Sequence, residues 1–212
     1  QKISMNFAEE EMVIAGEEAF MQPTMSEEFT IGYFMSQDIG TAHLDFGIRF
    51  DDITRDGSVA EMHHEDEDHD EDHEGEEEVE DYSFNYSTTN YSLQLTQSLT
   101  DKLSLVLSGT SAERAPGAQE LFMNGPHLAT RRFEVGNVNL NPEKSNNLDM
   151  SLNYSDGGIF AKYTVYVNNV NDFIYLLDES DEDHEEHEEE HGGLTLAEYL
   201  QNDAKFTGDE FE

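Results

Sequence analysis

Residues 147–168, NLDMSLNYSDGGIFAKYTVYVN, decide the fold. Leu148, Met150, Leu152 and Tyr154 fall on one side of an extended chain, and Asn147, Asp149, Ser151 and Asn153 fall on the other. Past the turn residues 155–158, Ile159, Ala161, Tyr163, Val165 and Val167 are set against Lys162, Thr164, Tyr166 and Asn168. Period-two alternation on both sides of a short turn predicts antiparallel strands with one apolar and one polar face. The pattern recurs outward along the chain. Phe29, Ile31, Tyr33 and Met35 oppose Thr30, Gly32, Phe34 and Ser36; Ala42, Leu44, Phe46, Ile48 and Phe50 oppose Thr41, His43, Asp45, Gly47, Arg49 and Asp51. Tyr91, Leu93, Leu95 and Leu99 oppose Ser92, Gln94, Thr96 and Ser98, and Leu103, Leu105 and Leu107 oppose Ser104, Ser108 and Thr110.

The connections alternate in length. Short turns fall at 37–40, 100–102 and 155–158, and long loops at about 55 to 85, 114 to 144 and 175 to 202. A soluble antiparallel sandwich or barrel uses the same alternation but has no reason to gather every long loop at one end. An outer-membrane barrel does, with short periplasmic turns, long external loops, an apolar face toward lipid and a polar one toward the lumen. The expected fold class is therefore all-β: a partial antiparallel transmembrane β-barrel of about 7–8 strands from a larger barrel, with long external loops. Tyr86, Tyr91, Tyr154, Tyr163 and Tyr175 suit the aromatic girdles of such a wall. No run reaches the ~18 apolar residues of a membrane helix, and spanning strands need only about 9–11 residues.

The chain has 212 residues with 49 Asp and Glu, 10 Lys and Arg, no Cys, and a formal net charge of −39. Such a surface repels phosphate, so nucleic acid is not an expected partner. The acid is concentrated. Residues 61–81 hold 14 acids and 4 His, and residues 178–191 hold 10 acids and 3 His, neither with a Lys or Arg. Elsewhere 25 acids face 10 bases, an ordinary balance, so the high charge belongs to two inserts and not to the strand frame.

Several phrases resemble the C-terminal barrel region of TonB-dependent outer-membrane receptors. They are Glu113-Arg114-Ala115-Pro116 with Gln119-Glu120-Leu121-Phe122, Asn139-Leu140-Asn141-Pro142-Glu143-Lys144-Ser145-Asn146-Asn147, Asn168-Asn169 with Asp172-Phe173-Ile174, and Gln201-Asn202-Asp203-Ala204-Lys205-Phe206-Thr207-Gly208. In the second, Pro142 closes a loop and Glu143 and Lys144 mark where a strand begins. The His- and acid-rich runs, with Asn124-Gly125-Pro126-His127-Leu128-Ala129-Thr130, are similar to the zinc-type subgroup. The resemblance implies a bacterial outer-membrane barrel of about 22 strands around an N-terminal plug, importing a scarce ligand with energy from the TonB complex of the inner membrane. This chain shows no plug and no TonB box, and Phe211-Glu212 falls in what reads as mid-strand, so residues 1–212 are expected to be part of a longer receptor. The TonB complex would then act through the missing plug region, with outer-membrane lipid around the wall.

Imidazole and carboxylate without thiolate suit zinc or a neighbouring divalent cation, whereas all-oxygen sites suit calcium or magnesium. His63, His64, His69, Asp70 and His73 in the first run, and His184, His187 and His191 in the second, are candidate metal ligands. His69 and His73 are four apart and His184, His187 and His191 three and four apart, spacings that one helical turn gathers on one face. A solvated acidic loop is the plainer reading of such runs; interspersed His favours cation capture. His127 is a lone candidate in a neutral loop, and a hydrogen-bonding surface His is its plainer role. His43 is read as part of a lumen hydrogen-bond network, and Asp45, Arg49 and Asp51 as a translocation lining, a plug contact or an internal ion-pair ladder.

No Gly-x-Ser-x-Gly, P-loop or His-Glu-x-x-His pattern occurs, so no enzyme activity and no catalytic cofactor are expected. The expected function is import of a divalent metal ion, zinc first, captured by runs 61–81 and 178–191. One alternative is import of a metal chelate, a siderophore or haem, gripped by Phe122, Arg131, Arg132 and Phe133. Another is a soluble β-protein whose acidic loops bind calcium.

Overall fold

The computed structural model describes residues 1–16, 19–60, 79–179 and 193–212. Eight long strands, β1 (Lys2–Met12), β2 (Thr24–Ile39), β3 (Ala42–Ala60), β4 (Val79–Thr100), β5 (Leu103–Arg114), β8 (Glu143–Asp156), β9 (Ile159–Asp178) and β10 (Thr195–Phe211), form an antiparallel meander. Between β5 and β8 the chain forms a short helix α1 (Ala118–Phe122) and a hairpin of β6 (Asn124–His127) and β7 (Arg132–Val135). The sheet runs β1-β2-β3-β4-β5-β8-β9-β10-β7-β6, its one parallel pair being β10 with β7. All six segments read from alternation are strands, and the fold is the expected all-β partial barrel wall. The turns are tighter than expected; β8 passes to β9 through Gly157 and Gly158, at φ 55° and 94°, a left-handed pair that matches the twist of a two-residue hairpin.

Register explains the apolar face. Leu44, Leu95, Leu107, Met150 and Val165 pair in succession across five strands, and Ile3, Tyr33, Ile48 and Tyr91 across four. Side chains directly opposite one another share a face, so these rows form an outward apolar band. Members of it stay open to their surroundings: Leu93 is 51% exposed, Leu107 42% and Met150 47%. Lipid is the medium that such a continuous surface requires. The opposite face carries Thr30, Asp51, Arg49, Asn90, Ser92, Thr110 and Asn147.

The strands are longer than a bilayer needs. A spanning strand uses about 9–11 residues, whereas β4 has 22 and β9 has 20. The apolar band occupies the half next to the short turns. Above it the outward positions become polar: Asp52, Thr54 and Asp56 on β3, Thr89, Ser87 and Asn85 on β4, Asn146 and Lys144 on β8. The inward positions change in the opposite sense, to Ile53 and Val59 on β3 and Tyr82, Phe84 and Tyr86 on β4. The wall is thus apolar outside and polar inside within the membrane, and the reverse beyond it.

The inward apolar surface is covered by the segment between β5 and β8. Leu121 and Phe122 of α1 are fully buried and cluster with Met21, Leu140 and Ile174, while Phe20, Val59, Tyr82, Phe84, Tyr86 and Tyr199 pack around them. Glu120 holds α1 at its start, accepting from the Gly117 amide at 2.7 Å and from Arg114 at 2.7 Å. The 114–144 stretch, read as a long loop, is therefore a folded inward cap. Tyr86, expected in a lipid-facing girdle, instead lies on the inward face with Phe84 stacked beside it at 6.2 Å. Tyr91, Tyr154 and Tyr163 do lie on the outward face.

At the upper edge of the apolar band, Asp51 is buried and accepts from Thr30 Oγ1 at 2.7 Å, Arg49 Nε at 2.7 Å, Asn90 Nδ2 at 2.9 Å and Thr88 Oγ1 at 3.2 Å. Four donors on one carboxylate tie β2, β3 and β4 together from the lumen side; of the expected ladder of Asp45, Arg49 and Asp51, the Arg49–Asp51 pair is present, and Asp45 lies instead 3.3 Å from His43 Nε2. Toward the short-turn end, His43 bonds Asp38 at 2.6 Å and Ser36 at 2.9 Å, the network anticipated for it.

Candidate functional site

The β6–β7 hairpin carries His127, and each residue of its leading phrase has an assignable task. The Asn124 amide donates to the Phe20 carbonyl at 2.9 Å, and its side chain donates to the Ala60 carbonyl at 2.9 Å. Gly125 lies directly against the backbone of the β1–β2 connection; a Cβ there would stand 2.6 Å from Phe20 Cα. At the other end a Cβ on Gly136 would stand 2.6 Å from the Leu121 carbonyl group. Only glycine permits both approaches, so the hairpin is seated on backbone at each end.

His127 then faces two partners. Its Nδ1 lies 2.9 Å from Glu134 Oε1 across the hairpin, and the Phe20 ring stacks on the imidazole at 5.3 Å between centroids. Glu134 is 3% exposed, and the same Oε1 accepts from Thr130 Oγ1 at 2.9 Å. His127 keeps a third of its side-chain surface open. The hydrogen-bonding role weighed for His127 is thus present. Glu134, Thr130 and Phe20 were not singled out from sequence; a His seven residues before a Glu on a four-residue-strand hairpin is too weak a signal.

The hairpin also reaches the roots of both His- and acid-rich runs. Ala60, bonded by Asn124, directly precedes the first. Asp178, the first residue of the second, takes a forked bond from Arg132 at 2.6 and 2.8 Å, and the Thr195 amide donates to the Arg131 carbonyl at 3.3 Å beyond it. The Asp178 carboxylate raises the Arg132 guanidinium further above its ordinary value through that hydrogen bond. Both side chains are substantially exposed, so solvent screens the pair. Arg132→Ala is expected to change stability little, and a double-mutant cycle with Asp178→Ala in the full-length protein checks it.

Of the other candidate ligands, His63, His64, His69, Asp70, His73, His184, His187 and His191 lie outside the described residues. Among the described residues no group of three His, Asp or Glu side chains is arranged to hold a metal ion. Of the residues considered for gripping a chelate, Phe122 is buried in the cap and Arg132 is engaged by Asp178, whereas Arg131 is exposed, with φ 59°.

The family described as TonB dependent receptor-like, beta-barrel, matches residues 27–202. Among solved structures, the chain is similar to a double mutant of the Serratia marcescens hemophore receptor HasR in complex with its hemophore HasA and heme. Identity is 15% and the TM-score 0.71, over 99% of this chain and 36% of that one. The copper transporter OprC is 18% identical with a TM-score of 0.64, over 89% of this chain and 26% of that one. The ferric-catecholate import receptor Fiu from K12 E. coli, in a closed form, is 15% identical with a TM-score of 0.56, over 89% and 25%. At such identities the likeness shows the fold. The chain spans between a quarter and about a third of the length of these proteins.

Proposed function

The chain belongs to the TonB-dependent receptor β-barrel family of the Gram-negative outer membrane, and from that membership we propose that it serves import of a divalent metal ion, zinc first among the candidates. Residues 61–81 and 178–191 act as external capture segments in this reading, with His127 as a further ligand. The observation that carries it is the hairpin: the element bearing His127 is bonded at Ala60 and Asp178, the roots of both His-rich runs. The donor set supports the metal class, since nitrogen and oxygen donors without thiolate suit zinc and its neighbours. Many weak sites would raise the cation concentration at the mouth without holding the ion against release.

Uptake of labelled zinc at low external metal is the test, in cells whose receptor lacks both runs. A several-fold fall against wild type is expected, and unchanged uptake overturns the capture role. Import of a metal chelate is the second reading. Two neighbours support it by what their names say they take, heme with a hemophore and a ferric catecholate, whereas the copper transporter supports the metal-ion reading. Competition separates the two, because free zinc displaces bound zinc-65 under the first reading and leaves bound chelate in place under the second.

A further inference from the structure

We propose that Glu134 is a positioning residue for His127, fixing the imidazole in the tautomer that can ligate a cation. This deepens the reading above and rests on His127 being a ligand. Glu134 Oε1 stands 2.9 Å from His127 Nδ1 and also accepts from Thr130 Oγ1 at 2.9 Å. Glu134 Oε1 already serves as the acceptor for Thr130, and, facing an acceptor, Nδ1 is the atom that carries the hydrogen of the shared bond. In the neutral ring the lone pair then sits on Nε2, which makes no hydrogen bond among the described residues. This is the arrangement in which a ligating histidine donates its other N–H to a carboxylate, which sets the ring's orientation and raises its basicity.

The surroundings hold that choice in place. Phe20 covers one face of the ring at 5.3 Å and 28° between planes, which resists rotation about the Cβ–Cγ bond. Glu134 is itself almost fully buried, so water does not compete for its oxygen. The hairpin beneath both residues is seated at Gly125 and Gly136 and paired to β10. A pendant surface histidine would have no such constraint on its tautomer. Here the carboxylate, the stacked ring and the backbone together leave one nitrogen, Nε2, free to ligate.

The test uses the full-length receptor in detergent, with zinc chloride as probe and ring-nitrogen NMR of labelled histidine, His127→Ala identifying the His127 signals. Wild type is expected to show a protonated Nδ1 and an unprotonated Nε2, with Glu134→Ala losing that bias. Glu134→Gln, close to isosteric, is expected to weaken zinc binding about 10–100-fold, with no further loss when added to His127→Ala. If Glu134→Ala keeps the Nδ1–H form, or Glu134→Gln binds zinc as wild type while His127→Ala does not, the positioning role is overturned and the ligand reading stands. If His127→Ala binds zinc as wild type does, the ligand reading falls and the proposal with it.

Discussion

Phe122→Ala is expected to release the inward cap from the barrel wall. The ring is fully buried and stacks on Phe84 at 6.1 Å, within the cluster of Met21, Leu121, Leu140 and Ile174. Its floor is Gly57, where even a Cβ would stand 2.5 Å from the ring. Removing a large aromatic from such a site costs about 3–5 kcal/mol, the transfer loss plus the cavity left behind. The cap has this one small core, so the loss falls on its docking and not on the strand ladder. Amide hydrogen exchange over residues 115–141 of the full-length receptor should rise by orders of magnitude, with β4 and β5 near their turn little changed. Unchanged protection of 115–141 would mean that the cap is held by something other than this core. Phe122→Leu, which keeps most of the apolar volume, should give a smaller rise.

The second large effect concerns the outward face. Leu107 lies mid-row between Leu95 and Met150, and its neighbour Ser108 points inward opposite Gln94 and Asp149. Leu107→Arg places a charge in the hydrocarbon near its midplane, at about 2–4 kcal/mol, whereas Ser108→Arg meets the wet lumen and is expected to stay within about 0.5 kcal/mol. Denaturant titration of the full-length receptor folded into bilayers measures both. Equal costs at the two positions would contradict the assignment of faces.

The period-two signal was enough to find β2, β3, β4, β5, β8 and β9, because each carries a run of outward apolar residues in the membrane band. It does not show β10, of which only the end at Phe211-Glu212 reads as strand, for a physical reason. Lys205, Thr207 and Asp209 face outward there, so no apolar period exists to read. β1 has only Ile3, Met5 and Phe7 before an acidic stretch. Tyr86 was misplaced because alternation gives the two sides of a strand without saying where along it their polarities exchange. That exchange depends on the height of the bilayer, which no local pattern encodes. The site was legible only at His127; Glu134 and Phe20 reach it through a hairpin pairing and a contact with the β1–β2 connection, both set by tertiary structure.

The upper wall has an electrostatic consequence. From Tyr91, at the top of the apolar band, to Val79, where the first acidic run meets β4, twelve residues rise at about 3.3 Å each on strands tilted roughly 40°, or roughly 30 Å. Charge interactions in physiological salt decay over about 8 Å. The roots of both runs therefore stand several screening lengths from the lipid headgroups. Under the proposed capture reading, cations drawn to the two runs would belong to an ionic atmosphere separate from that of the anionic membrane surface, and would come from the bulk medium and not from the membrane's own counterions.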